Sequence, residues 1–297
     1  MVEQLGVIGC GLMGGSFALA LRQAGQVGRV VGYSRSPQAR QQALTRGVID
    51  VAANTVAEAV VGSDVVLVAV PVAATEATLR EVTPHLKPQA WCMDVGSTKG
   101  DVVQAARRAM GARVSHFVPA HPIAGKELAG VEHADAQLYR GRLVVLTPQS
   151  DTSTSVTEQA QALWSSVGGR VEVMSAQAHD SAFEAVSHLP HLLAFAYMKG
   201  LMEQAEGEEF LRLAGPGFRD FSRIAGSDSA VWRDILLGNS QAVLQQLTHF
   251  RDALDALASQ VKAGDGAQLQ RIIAEVAQKR RAWPSNPSDA SSASSDE

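Results

Sequence analysis

Gly6-Val7-Ile8-Gly9-Cys10-Gly11-Leu12-Met13-Gly14-Gly15-Ser16, running straight into Phe17-Ala18-Leu19-Ala20-Leu21, is the stretch that decides the fold. It reads as a short apolar strand, a glycine turn and the opening of an apolar helix. Gly9 permits the tight turn, Gly11 lets the backbone approach a pyrophosphate, and Gly14 lets the helix pack close to the strand. The free N–H groups and positive dipole end of that helix, which Leu12 and Met13 begin, then face the phosphates. The same string occurs in ordinary glycine-rich turns. The strand before it and the helix after it favour a dinucleotide-binding loop.

The next apolar strand, Gly28-Arg29-Val30-Val31-Gly32-Tyr33, ends in Ser34-Arg35-Ser36-Pro37. An Asp or Glu at this place would bind the adenosine ribose diol of NAD. A carboxylate would repel a 2′-phosphate, whereas Arg35 between two hydroxyls can bind one, which favours NADP. The other reading is a surface arginine in a loop that tolerates NAD as well.

Farther along, Asp64–Val70 is a continuous apolar run stopped by Pro71, as expected of a strand buried on both faces. Ala90–Val95, Val114–Ala120, Leu143–Thr147 and Arg170–Met174 read as further strands. Helices are expected over Ser36–Arg46, Thr55–Val61, Ala74–Leu86, Asp101–Met110 and Thr154–Val167. This alternation predicts an α/β, doubly wound Rossmann sheet over residues 1–174. From Ser175 the chain reads as all helical to residue 282, with Ala176–Glu203 long, apolar and kinked at Pro190. The Ala242–Lys262 helix repeats apolar residues at a three-four spacing, a stripe that packs within the chain or against a second copy. Residues 283–297, rich in Ser, Asp and Pro, have the composition of a disordered tail.

Composition narrows the classes. The 297 residues are 46% hydrophobic, enough for a sizeable core, and the net charge of −4 argues against nucleic acid or an anionic membrane as partner. No segment approaches the ~18 apolar residues needed to span a bilayer. Met1 leads within a few residues into the first strand, so no targeting peptide is expected, and a cytoplasmic setting is the default. Two cysteines, Cys10 and Cys92, form neither a disulfide framework nor a Cys-rich zinc site.

In an open α/β sheet, ligands gather at the carboxyl ends of the strands. That rule selects Val70-Pro71, Gly96-Ser97-Thr98-Lys99 and His121-Pro122-Ile123-Ala124-Gly125. His121 stands where a nicotinamide ring would lie, and an imidazole accepts a proton near neutral pH. Ser97 and Lys99 either hydrogen-bond a ligand, or serve as a helix cap (Ser97 or Thr98) and a solvated lysine. In Ser187-His188-Leu189-Pro190-His191, two histidines share a helix face without a third metal ligand, so no metal site is expected. One of them lining a pocket and the other buried with a partner is the reading adopted. Arg219 and Arg223, four apart, fall on one helix face and suit carboxylate recognition or internal pairing with Asp220, Asp228 or Asp234.

Taken together, Gly9–Ser16, Asp94-Val95-Gly96-Ser97-Thr98-Lys99, His121–Gly125, Ser187–His191 and Gly217-Phe218-Arg219-Asp220-Phe221-Ser222-Arg223-Ile224-Ala225, followed by Trp232-Arg233-Asp234-Ile235, resemble the prephenate/arogenate (cyclohexadienyl) dehydrogenases of tyrosine biosynthesis. The resemblance implies a Rossmann domain, a helical domain that forms a homodimer, and an active site between the domains. It implies that His121 accepts the proton of the substrate's ring hydroxyl and that Ser97 holds that hydroxyl or His121 in register. It also implies that His191 lines the substrate pocket, that Arg223 binds a substrate carboxylate, and that Glu127 gates or tunes the site. The second strand departs from the NAD-preferring members by lacking the acidic residue. The chain is also expected to lack the regulatory and mutase domains that some relatives carry. A β-hydroxyacid dehydrogenase of the hydroxyisobutyrate type is the rival enzyme and would need Lys199 as its catalytic lysine. A non-catalytic cofactor sensor would need only the glycine loop.

Overall fold

The computed structural model describes residues 1–126 and 128–283. Glu127 and the tail expected to be disordered, from residue 284 on, lie outside the described residues. The chain forms two compact units, Met1–Val243 and Leu244–Glu297.

In the first unit, strands β1 (Val2–Ile8), β2 (Val27–Tyr33), β3 (Val51–Ala52), β4 (Val65–Val68), β5 (Trp91–Asp94) and β6 (Phe117–Val118) pair in parallel. Their order is β3-β2-β1-β4-β5-β6. Helices α1 (Leu12–Gln23), α2 (Pro37–Thr45), α3 (Val56–Val60), α4 (Thr75–Val82) and α5 (Gly100–Met110) connect them. Val65 and Leu67 of β4 enter one core layer with Phe17 and Leu21, while Val66 and Val68 enter the opposite layer with Leu79 and Cys92. Both faces are covered, which is why β4 reads as an unbroken apolar run. The register sets Ile8 beside Tyr33 and Val68, and Val68 beside Asp94. The loops after these four residues therefore open along one edge, where the strand order reverses between β1 and β4.

The expected strand over Val114–Ala120 divides. Gly111–His116 is a 3-10 turn, β6 keeps two residues, and β7 (Ala120–Pro122) leaves the parallel sheet. It joins a separate three-stranded sheet with β8 (Leu143–Leu146) and β9 (Arg170–Val173), antiparallel to β8. Helix α6 (Thr154–Ser166) links β8 to β9 and carries Trp164, fully buried against Phe17 at 4.4 Å and Tyr139 at 5.1 Å between ring centroids. The Tyr139 hydroxyl donates to the Met13 carbonyl at 2.7 Å, and Asp135 N donates to Ser16 Oγ at 2.9 Å. These contacts tie α1 to α6 and to the segment of residues 135–139.

Beyond β9 the chain is helical: α7 (Ala176–Phe183), α8 (Leu189–Met202), α9 (Gly207–Arg212), α10 (Pro216–Ser222), α11 (Ser229–Gly238), α12 (Ser240–Ala263) and α13 (Gly266–Ala282). The disturbance expected at Pro190 takes the form of a π turn over Glu184–His188, which joins α7 to α8. Pro190 has no N–H for the carbonyl four residues back, Val186, and its ring crowds that carbonyl, so the backbone widens there. Among the described residues, no helix is long and apolar enough to cross a membrane.

Candidate active site

The glycine loop fits a dinucleotide pyrophosphate on its own geometry. Gly9 has φ +104°, and a Cβ there would stand 2.2 Å from the Ala69 carbonyl oxygen, so no other residue is accommodated. A Cβ at Gly14 would meet the Gly9 carbonyl oxygen at 2.2 Å, which is the close helix–strand approach the motif requires. Gly11 differs, because a Cβ there meets nothing within 4 Å. Leu12 and Met13 open α1, whose N-terminus has no side-chain cap and no acidic residue in its first turn. Those N–H groups face the open side at Gly11 and suit an anion.

At the end of β2, Ser36 caps α2 by accepting the Ala39 N–H at 3.2 Å, and its hydroxyl reaches Gln38 Oε1 at 3.1 Å. Arg35 is exposed beside it. Arg40, which the motif reading did not single out, donates to the Ser34 carbonyl at 2.6 Å and lies over the Tyr33 ring at 5.6 Å. Val70 and Pro71 follow β4 on the same edge, leading into a 3-10 turn at Val72–Ala74.

The reacting end of the site is built around β5, β7 and α7. Asp94, the last residue of β5, accepts the Ala120 N–H at 2.9 Å and the Gly96 N–H at 2.7 Å. Lys99 is neither solvated nor directed at a ligand. Its ammonium is fully buried, 2.5 Å from Asp94 Oδ2 and 2.8 Å from the Ala120 carbonyl oxygen. Asp94 and Lys99 thus grip both backbone groups of the residue preceding His121. Neither Ser97 nor Thr98 caps α5, whose N-cap position is Lys99. Ser97 is half-buried in the loop between Asp94 and α5.

His121 lies in β7, paired with Val145, and its Nδ1 stands 2.8 Å from Nε2 of His179. His179 Nδ1 in turn stands 2.8 Å from Oδ1 of Asp180. Phe183 packs against both rings at 5.0 and 4.5 Å. Burial first, and then the electrostatic influence of His179, Lys99 and His188, push the His121 pKa well below the usual histidine value. Burial alone would raise Asp180, but the bonds it accepts from His179 and from the N–H groups of Gly100 and Lys99 outweigh it and hold the carboxyl below its ordinary range.

The two histidines of Ser187–His191 take different roles. His188 is buried, lies edge-on to Trp232 at 6.2 Å, and is pushed down to about 4, chiefly by burial. His191 is half-buried and stacks on Trp232 at 3.5 Å and 20°. Its Nδ1–H donates to the Ser187 carbonyl at 2.8 Å, which turns Nε2 outward as an acceptor. Burial lowers its pKa, and the charge of Arg223 close by lowers it further. Arg219 lies in the last turn of α10, and Arg223, still in helical backbone, opens a 3-10 turn over Arg223–Gly226. Lys199, the residue the hydroxyisobutyrate-type alternative requires, is exposed on α8 and paired with Glu203. Among the described residues no group of His, Cys, Asp and Glu could hold a metal ion.

His179 and Asp180 went unnoticed in the sequence because they fall inside what reads as one apolar helix. A His-Asp pair in the first turn of such a helix is the signal that marks them.

Comparison with known proteins gives two adjoining family matches. The family model "Prephenate dehydrogenase, nucleotide-binding domain" matches residues 17–173, and "Prephenate dehydrogenase, dimerization domain" matches residues 175–275. The cyclohexadienyl dehydrogenase of Zymomonas mobilis is 32% identical over 94% of this chain and 95% of its own length. The prephenate dehydrogenase of Bacillus subtilis is 33% identical over 92% of this chain and 74% of its own. A crystal structure of prephenate dehydrogenase from A. aeolicus, in complex with hydroxyphenyl propionate and NAD+, superposes with a TM-score of 0.89 at 34% identity, covering 95% of this chain and 98% of that one.

Proposed function

Because the chain belongs to the prephenate dehydrogenase family, a dehydrogenase family of tyrosine biosynthesis, we propose that it oxidatively decarboxylates prephenate, arogenate or both, with NADP+ preferred over NAD+. The observation that carries the reading is His121 in β7, just beyond the carboxyl end of β6, with its Nδ1 against buried His179 and His179 in turn against the part-buried carboxylate of Asp180.

The nicotinamide, when bound, supplies the hydride acceptor. Gly9, Gly11, Leu12, Met13 and Gly14 would hold the pyrophosphate, and Val70 and Pro71, after β4, would border the nicotinamide. Arg35, with Ser34 and Ser36, would bind the 2′-phosphate, and the absence of any carboxylate at the end of β2 supports that choice. His121 Nε2 draws on the ring hydroxyl proton as hydride leaves the carbinol carbon and the ring carboxylate departs as carbon dioxide. The product is a phenol, so the proton returns to that oxygen as the ring becomes aromatic. Aromatisation makes the step strongly downhill, and the protein's task is orientation and one proton contact. Ser97 keeps the hydroxyl in register, Arg223 pairs with a substrate carboxylate, and His191 lines the substrate pocket. Glu127 is proposed to tune access to the site. The helical part is the family's dimerisation domain. Two free, buried thiols, Cys10 and Cys92, both pushed up to about 12 by burial, suit a reducing cytoplasm.

The test is a two-by-two assay of the purified protein, prephenate or arogenate with NADP+ or NAD+, following reduced nicotinamide. Turnover with at least one substrate and a higher kcat/KM for NADP+ is expected. Cofactor binding without turnover on either substrate would return the sensor reading, and a preference for NAD+ would overturn the role of Arg35.

A further inference from the structure

We infer that His179 and Asp180 are positioning residues that hold His121 in a single tautomer, with a bare Nε2 presented to the substrate. This rests on the proposal that His121 is the base.

The donors and acceptors around the two imidazoles fix where each proton sits. Asp180 Oδ1 accepts the Lys99 N–H at 2.9 Å, and Oδ2 accepts the Gly100 N–H at 2.7 Å, both at the N-terminus of α5. A Cβ on Gly100 would stand 2.9 Å from Oδ2, so the glycine keeps that approach open. With two backbone donors aimed at it, the carboxyl is ionised and only accepts, so the proton on the His179–Asp180 bond belongs to His179 Nδ1. In neutral His179 the other nitrogen, Nε2, is then an acceptor. The 2.8 Å contact with His121 must carry the proton of His121 Nδ1. Neutral His121 therefore keeps its lone pair on Nε2, the form a general base requires. Were His179 instead charged, it would donate to His121 Nδ1, and Nε2 of His121 would carry the proton and be unable to act.

Lys99 closes the arrangement into a ring. Its backbone N–H anchors Asp180 at one end, and its ammonium anchors the Ala120 carbonyl, next to His121, at the other. Phe183, against both imidazoles, keeps them from rotating out of line. When His121 takes the proton, its Nδ1–H is already bonded, and the negative charge of Asp180 acts on the imidazolium through His179 without a second proton transfer.

Nitrogen-15 NMR of the histidine-labelled full-length protein at neutral pH reads the tautomer directly, with the His121→Asn spectrum supplying the assignment. Protonated Nδ1 and unprotonated Nε2 on His121 are expected; the reverse tautomer overturns the inference. In kinetics, His179→Leu should lower kcat by about 100-fold or more with KM for the substrate changed by less than about threefold. His179→Gln, whose amide oxygen can still accept from Nδ1, should recover part of that loss. A His179→Leu enzyme with kcat within about threefold of wild type, beside an inactive His121→Asn, sinks the positioning role alone. An active His121→Asn sinks the base assignment itself.

Discussion

The pKa of His121 sits below the usual histidine value because burial disfavours the charged ring, and the influence of His179, Lys99 and His188 adds to it. The sign of the consequence is definite. A base with a depressed pKa stays unprotonated at lower pH, so kcat/KM should hold level below pH ~6.5, the ordinary histidine value, and its acid limb should fall only at more acidic pH. A limb centred at or above that value in a pH–rate profile would contradict this environment. Arg223→Ala should raise KM about 10- to 100-fold, the range expected for losing a hydrogen bond to a charged group, with a smaller change in kcat; steady-state kinetics separates the two. Strand ends singled out Ser97 and His121 in the sequence; the structure sets Ser97 in the loop after β5, as expected, and His121 within β7 rather than after the end of a strand. Lys99 was misread because a lysine in a polar loop is normally solvated. What buries it is the pairing of β5 with its neighbours, which brings Asp94 and the Ala120 backbone together, a tertiary fact with no local signature.

Among the elements, the glycine loop separates structural from ligand-facing positions. Gly9→Ala would place a side chain at φ +104° and 2.2 Å from a carbonyl oxygen. It should destabilise the protein by about 1–3 kcal/mol from backbone strain alone, with the clash in addition. Gly11→Ala, at φ −83° with open space around it, should change stability by less than about 1 kcal/mol yet weaken cofactor binding at least tenfold. Urea denaturation and a cofactor titration distinguish the pair; equal stability losses would mean that Gly11 is not the ligand-facing position. The alternation of apolar strands and helices placed β2, β4, β5 and the intervening helices to within a few residues, but it began β1 at Gly6 rather than Val2 and gave no strand at Val51–Ala52. It failed at Val114–Ala120, where two short strands belong to different sheets and a one-residue break at Pro119 separates them. It also failed to foresee the π turn, because Pro190 announces a disturbed helix without saying how the backbone resolves it.

At the scale of the whole molecule, the unit from Leu244 onward carries large apolar side chains on its surface. Leu247, Leu254 and Val261 recur every seven residues along α12, and Leu254 and Val261 are 51% and 66% exposed in the single chain. Ile273 and Val276 of α13 are 56% and 64% exposed. Stripes of this kind belong at a subunit interface, in keeping with the family's dimerisation domain. Leu254→Asp should shift the protein from dimer to monomer in sedimentation velocity; an unchanged dimer would place the interface elsewhere. The division into an α/β part and a helical part was plain from composition and periodicity. That the packing also draws the helices before Val243 into the first compact unit was not, since it depends on contacts such as Asp180 with α5 rather than on any local pattern. The central claim is that His121 performs the proton chemistry of an oxidative decarboxylation on a cofactor held independently of it. The most direct test is single-turnover reduction of bound NADP+ by His121→Asn. Cofactor affinity within about twofold of wild type and a rate at least about 100-fold lower are predicted; a rate near that of wild type would contradict the account.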